Sequence, residues 1–309
     1  METLQQKIDF TLIITATNAN PNGDPLNGNR PRENFERHGE ISDVCIKRKI
    51  RNRLQDMGEK IFVQSDDRRD DGFDTLKARA EANETIKAVS NGKKTDREAY
   101  EKAACSEWID VRSFGQVFAF SAPQKGKSKK NQDSSEQDSN ASNSGVSVGV
   151  RGPVSIQIAT SVSPVDIVSM QITKSVNNEN SENGKGKSSD TMAMKHRVSF
   201  GLYVINGSIN CQLAEKTGFT LEDANKIKKA LCTLFENDSS SARPEGSMEV
   251  CRLYWWKHDS PIPEYSSAKI HRSLHVTLKD GVTVPKSYDD YEFTLDKLEG
   301  VKPEVINFI

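Results

Sequence analysis

Residues 42–58 read SDVCIKRKIRNRLQDMG, and this stretch decides how the rest of the chain is parsed. Ser42 is the kind of residue that caps a helix start through its side-chain oxygen, and Gly58 the kind that ends one in the left-handed conformation. Between them Ile46, Ile50, Leu54 and Met57 recur at the helical repeat and share one stripe. Lys47, Arg48 and Arg51 then fall on the outer face, with Lys49 and Arg53 flanking the stripe. Residues 44–54 carry five basic side chains and no acidic one. The spacing predicts a helix with one buried face and a cationic remainder.

Before this helix, residues 8–17 (IDFTLIITAT) are apolar and β-branched without a helical period, which predicts a buried first strand. Residues 18–32 (NANPNGDPLNGNRPR) are so dense in Asn, Gly, Pro and Asp that they read as an extended loop. Beyond the helix, residues 60–108 hold an acidic run (SDDRRDDGFD at 65–74, five aspartates against two arginines) and then weakly amphipathic Ala/Glu/Lys-rich segments, expected to be an inserted helical lobe. Residues 108–120 (WIDVRSFGQVFAF) return to strand chemistry, and 146–162 read as a strand pair. The polar tracts within 121–145 and 177–190 lack the apolar residues a core needs and are expected to be disordered. The second tract lies between strand-like runs at 165–176 and 191–205, as the tip of a long hairpin. Residues 219–235 (FTLEDANKIKKALCTLF) place Leu221, Ala224, Ile227, Leu231 and Leu234 at helical spacing behind Thr220 as N-cap, and strand-like runs follow at 248–256 and 270–278. Without the insertions the order is strand, helix, strands, helix, strand, the split β-α-β layout of ferredoxin-like and RNA-recognition folds.

Composition narrows the function classes. With 35% hydrophobic and 7% aromatic residues and a mean hydropathy of -0.66, the 309-residue chain has a diluted core. No apolar run is long enough to span a bilayer and the N-terminus lacks a signal-peptide pattern, so a cytoplasmic protein without membrane contact is expected. Cys45, Cys105, Cys211, Cys232 and Cys251 are scattered and odd in number, which fits reduced core thiols. A net charge of -1 is low for a protein that coats itself in nucleic acid, but the charge is sorted into patches.

Five collinear segments, NPNGDPLNGNRPR, SDVCIKRKIRN, DVRSFGQVFA, RGPVSIQIATS, and MKHRVSFGLYVING with TGFTLEDANKIKKAL, resemble the Csd-type backbone subunit of type I-C Cascade in the DevR family of RAMP-like proteins. The resemblance implies an α+β fold: a modified RNA-recognition-motif (ferredoxin-like) palm over 1–309, a fingers-like helical insertion at 60–108, and a β-hairpin thumb at 165–197. It implies a non-catalytic protein that polymerises along guide RNA (crRNA) into a helical filament in antiviral defence. Its partners would be copies of itself, the crRNA, the target DNA strand, the guide-processing endonuclease subunit, the large and small Cascade subunits and a recruited helicase-nuclease, with no cofactor or metal. The RNA contacts it implies are Asn20, Asn22, Arg30 and Arg32 of the loop; Lys47, Arg48, Lys49, Arg51 and Arg53 of the helix; Arg151; and Met170, Lys174, Met192, Lys195, His196 and Arg197 of the hairpin. No K/R-G-F/Y aromatic motif is present, so phosphate contact is favoured over base stacking on the sheet.

Each sharp reading has a plainer competitor. Met170, Met192 and Met194 are either core residues or wedges between bases. Asp24 is either the metal-dependent RNA-cutting carboxylate of related proteins or a turn residue between Gly23 and Pro25; the turn reading is preferred. The acidic run fails as a calcium loop because Arg69 and Ala78 occupy ligand positions. His271 and His275 lack the adjacent glutamate of a zinc helix, and Trp255 and Trp256 read as packing residues. A general single-strand RNA-binding protein would need the basic helix but not the hairpin.

Overall fold

A computed structural model describes residues 2–90, 96–120, 146–174 and 192–309. The first part of the chain forms β1 (Ile8–Ala19), β2 (Gly23–Asp24), β3 (Arg30–Pro31), β4 (His38–Ile41) and helix α1 (Asp43–Asp56). Helices α2 (Leu76–Ala82), α3 (Glu84–Ser90), α4 (Arg97–Glu107) and α5 (Ile109–Phe114) follow. Strands β5 (Gln116–Phe120), β6 (Val146–Val150), β7 (Val154–Ile156), β8 (Ala159–Pro164), β9 (Ile167–Thr173) and β10 (Met192–Ile209) come next. Helices α6 (Cys211–Thr217) and α7 (Leu221–Cys232) precede β11 (Met248–Lys257), α8 (Ser267–Arg272), β12 (Leu274–Leu278), β13 (Tyr291–Leu295) and β14 (Glu304–Asn307).

The main sheet is ordered β14-β11-β1-β10-β8-β4, with β7 and β9 also pairing β10, and its pairings are antiparallel. β1 is buried on both faces, which is why its sequence shows no alternation. Phe10, Leu12, Ile14 and Ala16 face one core with Ile46, Ile50 and Leu54 of α1 and Ala224, Ile227 and Leu231 of α7. Ile13 faces the opposite side, where Leu202, Tyr254 and Trp256 meet Ile270 and Tyr291. Phe10 lies opposite Gly207, where a Cβ would meet the Phe10 ring at 2.2 Å, so the strand pair requires glycine there.

Both helix expectations hold. Ser42 accepts from the Cys45 N–H at the start of α1, and Thr220 and Asp223 form a capping box on α7. Leu221 departs from its stripe and is exposed. Residues 109–114 are helix rather than strand, because Asp110 turns its carboxylate inward to take the Phe62 N–H (2.7 Å), the Val63 N–H (3.0 Å) and Arg51 Nε (3.0 Å). The strand pair expected at 146–162 is divided: β6 pairs β5, whereas β7 and β8 each pair β10. Residues 270–272 belong to α8, whose N-cap Ser266 the β-branched neighbours concealed.

The 60–108 insertion has its own core, in which Phe62, Tyr100, Trp108 and Phe118 pack ring on ring at 4.7–5.2 Å. That core extends past the expected boundary to the β5–β6 pair through Val148 and Val150. The acidic run is tied into this lobe, where Asp71 chelates the buried Arg79. The expected disordered tract at 121–145 and the hairpin tip at 177–190 lie outside the described residues. The hairpin arms are present: β9 pairs with the first part of β10 from Met192↔Thr173 to Val198↔Ile167.

Asp110 has no exposed surface. Asp110→Ala should cost about 3–5 kcal/mol, because it strands Arg51 and two N–H groups without an acceptor. Denaturant unfolding of the variant should show a lower midpoint, and a midpoint equal to wild type would refute the anchoring role.

Candidate nucleic-acid interface

The Asn-rich loop is a built object. Asn18 and Asn29 adopt positive φ (53° and 61°), a conformation that asparagine tolerates better than bulkier residues. The buried Asn20 gives its side-chain N–H to the Asn29 carbonyl (2.7 Å), and Asn22 accepts from both the N–H and the hydroxyl of Ser42 (2.9 Å each). These two asparagines hold the loop in shape and join it to α1. Asp24 takes the turn role: its Oδ1 accepts from the Leu26 N–H (3.2 Å) and pairs with Arg32 Nη2 (3.2 Å).

The loop rests on the root of the hairpin. Arg30 donates to Ser169 Oγ (3.2 Å), which is in turn 2.8 Å from His196 Nδ1, and Arg37 pairs with Asp166 (3.0 Å). The register sorts the arms into two faces, because directly paired residues project to the same side. Met170 opposes Lys195 and Val168 opposes Arg197 on one face; Ser169 opposes His196 and Gln171 opposes Met194 on the other. Met170, Met192 and Met194 are 42%, 65% and 52% exposed, which removes the core reading for all three. Lys174 and Lys195 are exposed and Arg197 is half-buried. Arg151 is exposed between β6 and β7. Arg30, Arg32 and the hairpin residues are therefore brought to one region.

The helix cations are not the free face expected of them. Lys47 pairs with Asp43 (3.0 Å), an acidic partner one turn earlier, and Arg48 donates to the Val63 carbonyl (2.6 Å). Lys49 is 4% exposed and ion-paired with Asp238; burial pulls its ammonium below the ordinary lysine value, partly offset by that carboxylate. Arg51 stacks on Phe114 (4.9 Å) while it bonds Asp110. Arg53 donates to Thr233 Oγ1 (2.7 Å) and lies 3.9 Å from Asp56. Lys47 finds its partner one turn away, whereas the partners of Lys49 and Arg51, and Thr233 at Arg53, come from segments far away in sequence, so a charge count over residues 44–54 overstated the cationic surface.

The sheet itself offers no open stacking platform. Tyr254 and Trp256 stack on each other (5.9 Å, 18°) beneath Ile270 and Tyr291, and Trp255 stacks on Phe10 on the helix side (5.5 Å, 17°). His271 bonds the Gly207 carbonyl (3.1 Å) and His275 pairs with Asp296 (3.0 Å), so they are parted. Among the described residues no group of three or more His, Cys, Asp or Glu is placed to hold a metal. The five thiols are free, and burial pushes those of Cys45, Cys105, Cys232 and Cys251 up. No described helix is long and apolar enough to cross a membrane.

The fold is thus a mixed helix-and-sheet protein with an appended helical lobe and a hairpin that prolongs a central strand. Residues 6–296 match the family described as CRISPR-associated protein Cas7, and the chain belongs to that family. A relative in Haloferax volcanii, "CRISPR-associated protein Cas7", is 26% identical over 270 residues, which cover 82% of this chain and 70% of the relative. A chain of a solved "CRISPR RNA-guided surveillance complex, pre-nicking" aligns over 83% of this chain and 80% of its own length, with 14% identity and a TM-score of 0.44. A chain of a second "CRISPR RNA-guided surveillance complex" aligns over 90% and 78%, with 16% identity and a TM-score of 0.43.

Lys49→Glu should cost about 3–5 kcal/mol, since it sets a second carboxylate against Asp238 in a closed site. Lys49→Met should lower the unfolding midpoint less and leave the salt dependence of RNA binding unchanged. A flattened dependence in folded Lys49→Met protein would show that Lys49 does meet phosphate.

Proposed function

We propose that this chain is a non-catalytic crRNA-binding subunit that repeats along the guide to form the backbone of a type I-C CRISPR surveillance complex. The observation that carries the reading is the hairpin: an 18-residue strand, β10, runs from the sheet into an arm whose two faces both expose apolar side chains, with Lys195 and Arg197 beside them on one face. An arm with no core of its own to cover is suited to contact other molecules. The strand order β11-β1-β10-β7/β8, with α1 and α7 on one face, supports the reading of this part as a ferredoxin-like, RNA-recognition-type palm. On this reading the lobe at 60–108 corresponds to fingers and residues 165–197 to the thumb.

Arg30, Arg32 and Arg151, with Lys174, Lys195, His196 and Arg197, would hold guide phosphates, and Met170 and Met192 would wedge between bases. Base pairing would read the sequence, so the protein needs only backbone and shape. Copies of the chain, the target DNA strand, the guide-processing endonuclease, the large and small subunits and a recruited helicase-nuclease complete the partner set. Occupation of Asp24 by a turn N–H and Arg32 favours this reading over a metal-dependent endonuclease.

Bound RNA extracted from purified protein should be repeat-derived guide. Wild-type protein with Mg²⁺ should leave that RNA whole and Asp24→Asn should keep interference; regular cuts abolished by Asp24→Asn would establish the endonuclease instead. Removal of 167–197 should leave protein that binds RNA weakly without forming a regular assembly. Wild-type size and periodic nuclease protection after that deletion would rule out the thumb assignment.

A further inference from the structure

A cleft of about 740 Å³ runs beside α1, between the 65–70 segment and the loop that follows α7, and its lining includes Cys45, Lys49, Asp238 and Arg243. Most of its basic groups are committed. Arg48 is held by the Val63 carbonyl, Arg68 by Asp56 (2.6 Å), and Lys49 is enclosed with Asp238. Arg243 differs. Its Nε meets Asp238 Oδ2 at 3.3 Å, a long contact to a carboxylate already shared with Lys49. Its side chain is 27% exposed, and among the described residues its two terminal guanidinium nitrogens have no hydrogen-bond partner.

The Asn-rich loop packs beside the loop that carries Arg243. The Ala242 carbonyl, one residue before Arg243, accepts the Asn20 N–H (2.9 Å), so the two loops are stitched together. Cys45 lies between them, 3.9 Å from the Pro21 carbonyl, with Lys49, Arg243, Asp238 and Arg32 all near enough to act on its thiol. Lys49 and Arg243 are thus set against the single carboxylate of Asp238, and at that carboxylate one positive charge is left over. That surplus matches one phosphodiester, and the guanidinium fork is the group that grips phosphate with two parallel hydrogen bonds.

We propose that Arg243 forms a seat for one phosphodiester of bound RNA, in which the phosphate replaces Asp238 at Arg243 while Asp238 stays with the buried Lys49. This rests on the RNA-binding reading above and adds a residue outside the helix, loop and hairpin sets. Because the contact is to backbone, it is blind to base sequence.

The test is binding of an unstructured oligouridylate by the full chain across a salt series, comparing wild type, Arg243→Gln, Arg243→Lys and the exposed Lys286→Gln as a charge control. Arg243→Gln should lower the slope of log affinity against log salt by about one and weaken binding roughly tenfold. It should melt as wild type does. Arg243→Lys should restore the slope but not the full affinity, and Lys286→Gln should change neither. If wild type binds with a steep salt slope and Arg243→Gln matches it, or loses only thermal stability, the seat is wrong and the RNA reading stands. If wild type shows no salt-dependent RNA binding, both fall.

Discussion

The ion pair between Arg51 and the buried Asp110 joins the core on the helix side of the sheet to the core of the lobe. An isolated carboxylate in such a site would be costly, and it is tolerated because three donors converge on it, two of them backbone N–H groups of the segment that opens the lobe. The same lobe is fastened a second time by Arg112, which grips Asp223 of α7 with two bonds of 2.7 and 3.0 Å. Burial pushes Asp223 up, but Arg112 and the Thr220 cap outweigh it and hold the carboxyl below its ordinary range. Two pairs whose cations and carboxylates lie on opposite sides of the junction fix the orientation of the lobe more tightly than apolar contact alone would, since each needs a specific geometry.

What could be read in the sequence followed from local chemistry. Ser42 and Thr220 announced their helices because an N-cap is satisfied within three residues, and residues 8–17 announced a buried strand because both of its faces are core. The failures share one cause. Whether Lys49 is a phosphate ligand or half of a buried pair depends on Asp238, 189 positions away, and Arg51 depends on Asp110, 59 positions away. Residues 109–114 became helix for the same reason: Asp110 placed its carboxylate toward α1 and its backbone followed. Arg243 had no local signal beyond a lone cation in a Ser- and Pro-containing loop before a strand. Its significance appears only when Asn20 and Ala242 are seen to be bonded.

The hairpin was legible as two strand-like arms, yet its most informative property was not. β10 is one continuous strand of 18 residues whose latter half is sealed between β1 and the β7/β8 strands while its first seven residues pair with β9. The arm therefore inherits its direction from the centre of the sheet rather than from a flexible joint. The Asn-rich loop braces the root through Arg30, Ser169 and His196, and Arg37 with Asp166 adds a second brace. A loop composed of turn residues and an arm composed of strand residues are thus a single unit.

This distribution of charge bears on how such a chain could hold RNA. Every cation of α1 has an acceptor or carboxylate within the chain, which is consistent with a net charge of only -1 beside 43 basic residues. Helix α1 then offers no uncommitted cation, and its own electrostatic attraction for a phosphate backbone is correspondingly modest. On the proposed reading the affinity of the assembly comes from linkage: adjacent copies on one strand convert each further contact into an effectively intramolecular one, so weak seats suffice when they are repeated. Committing the α1 cations inside the fold would also limit adhesion to unrelated nucleic acid by unassembled chains. The internal ion pairs that hid the α1 cations from a sequence-based reading are then the same feature that would make RNA binding depend on assembly.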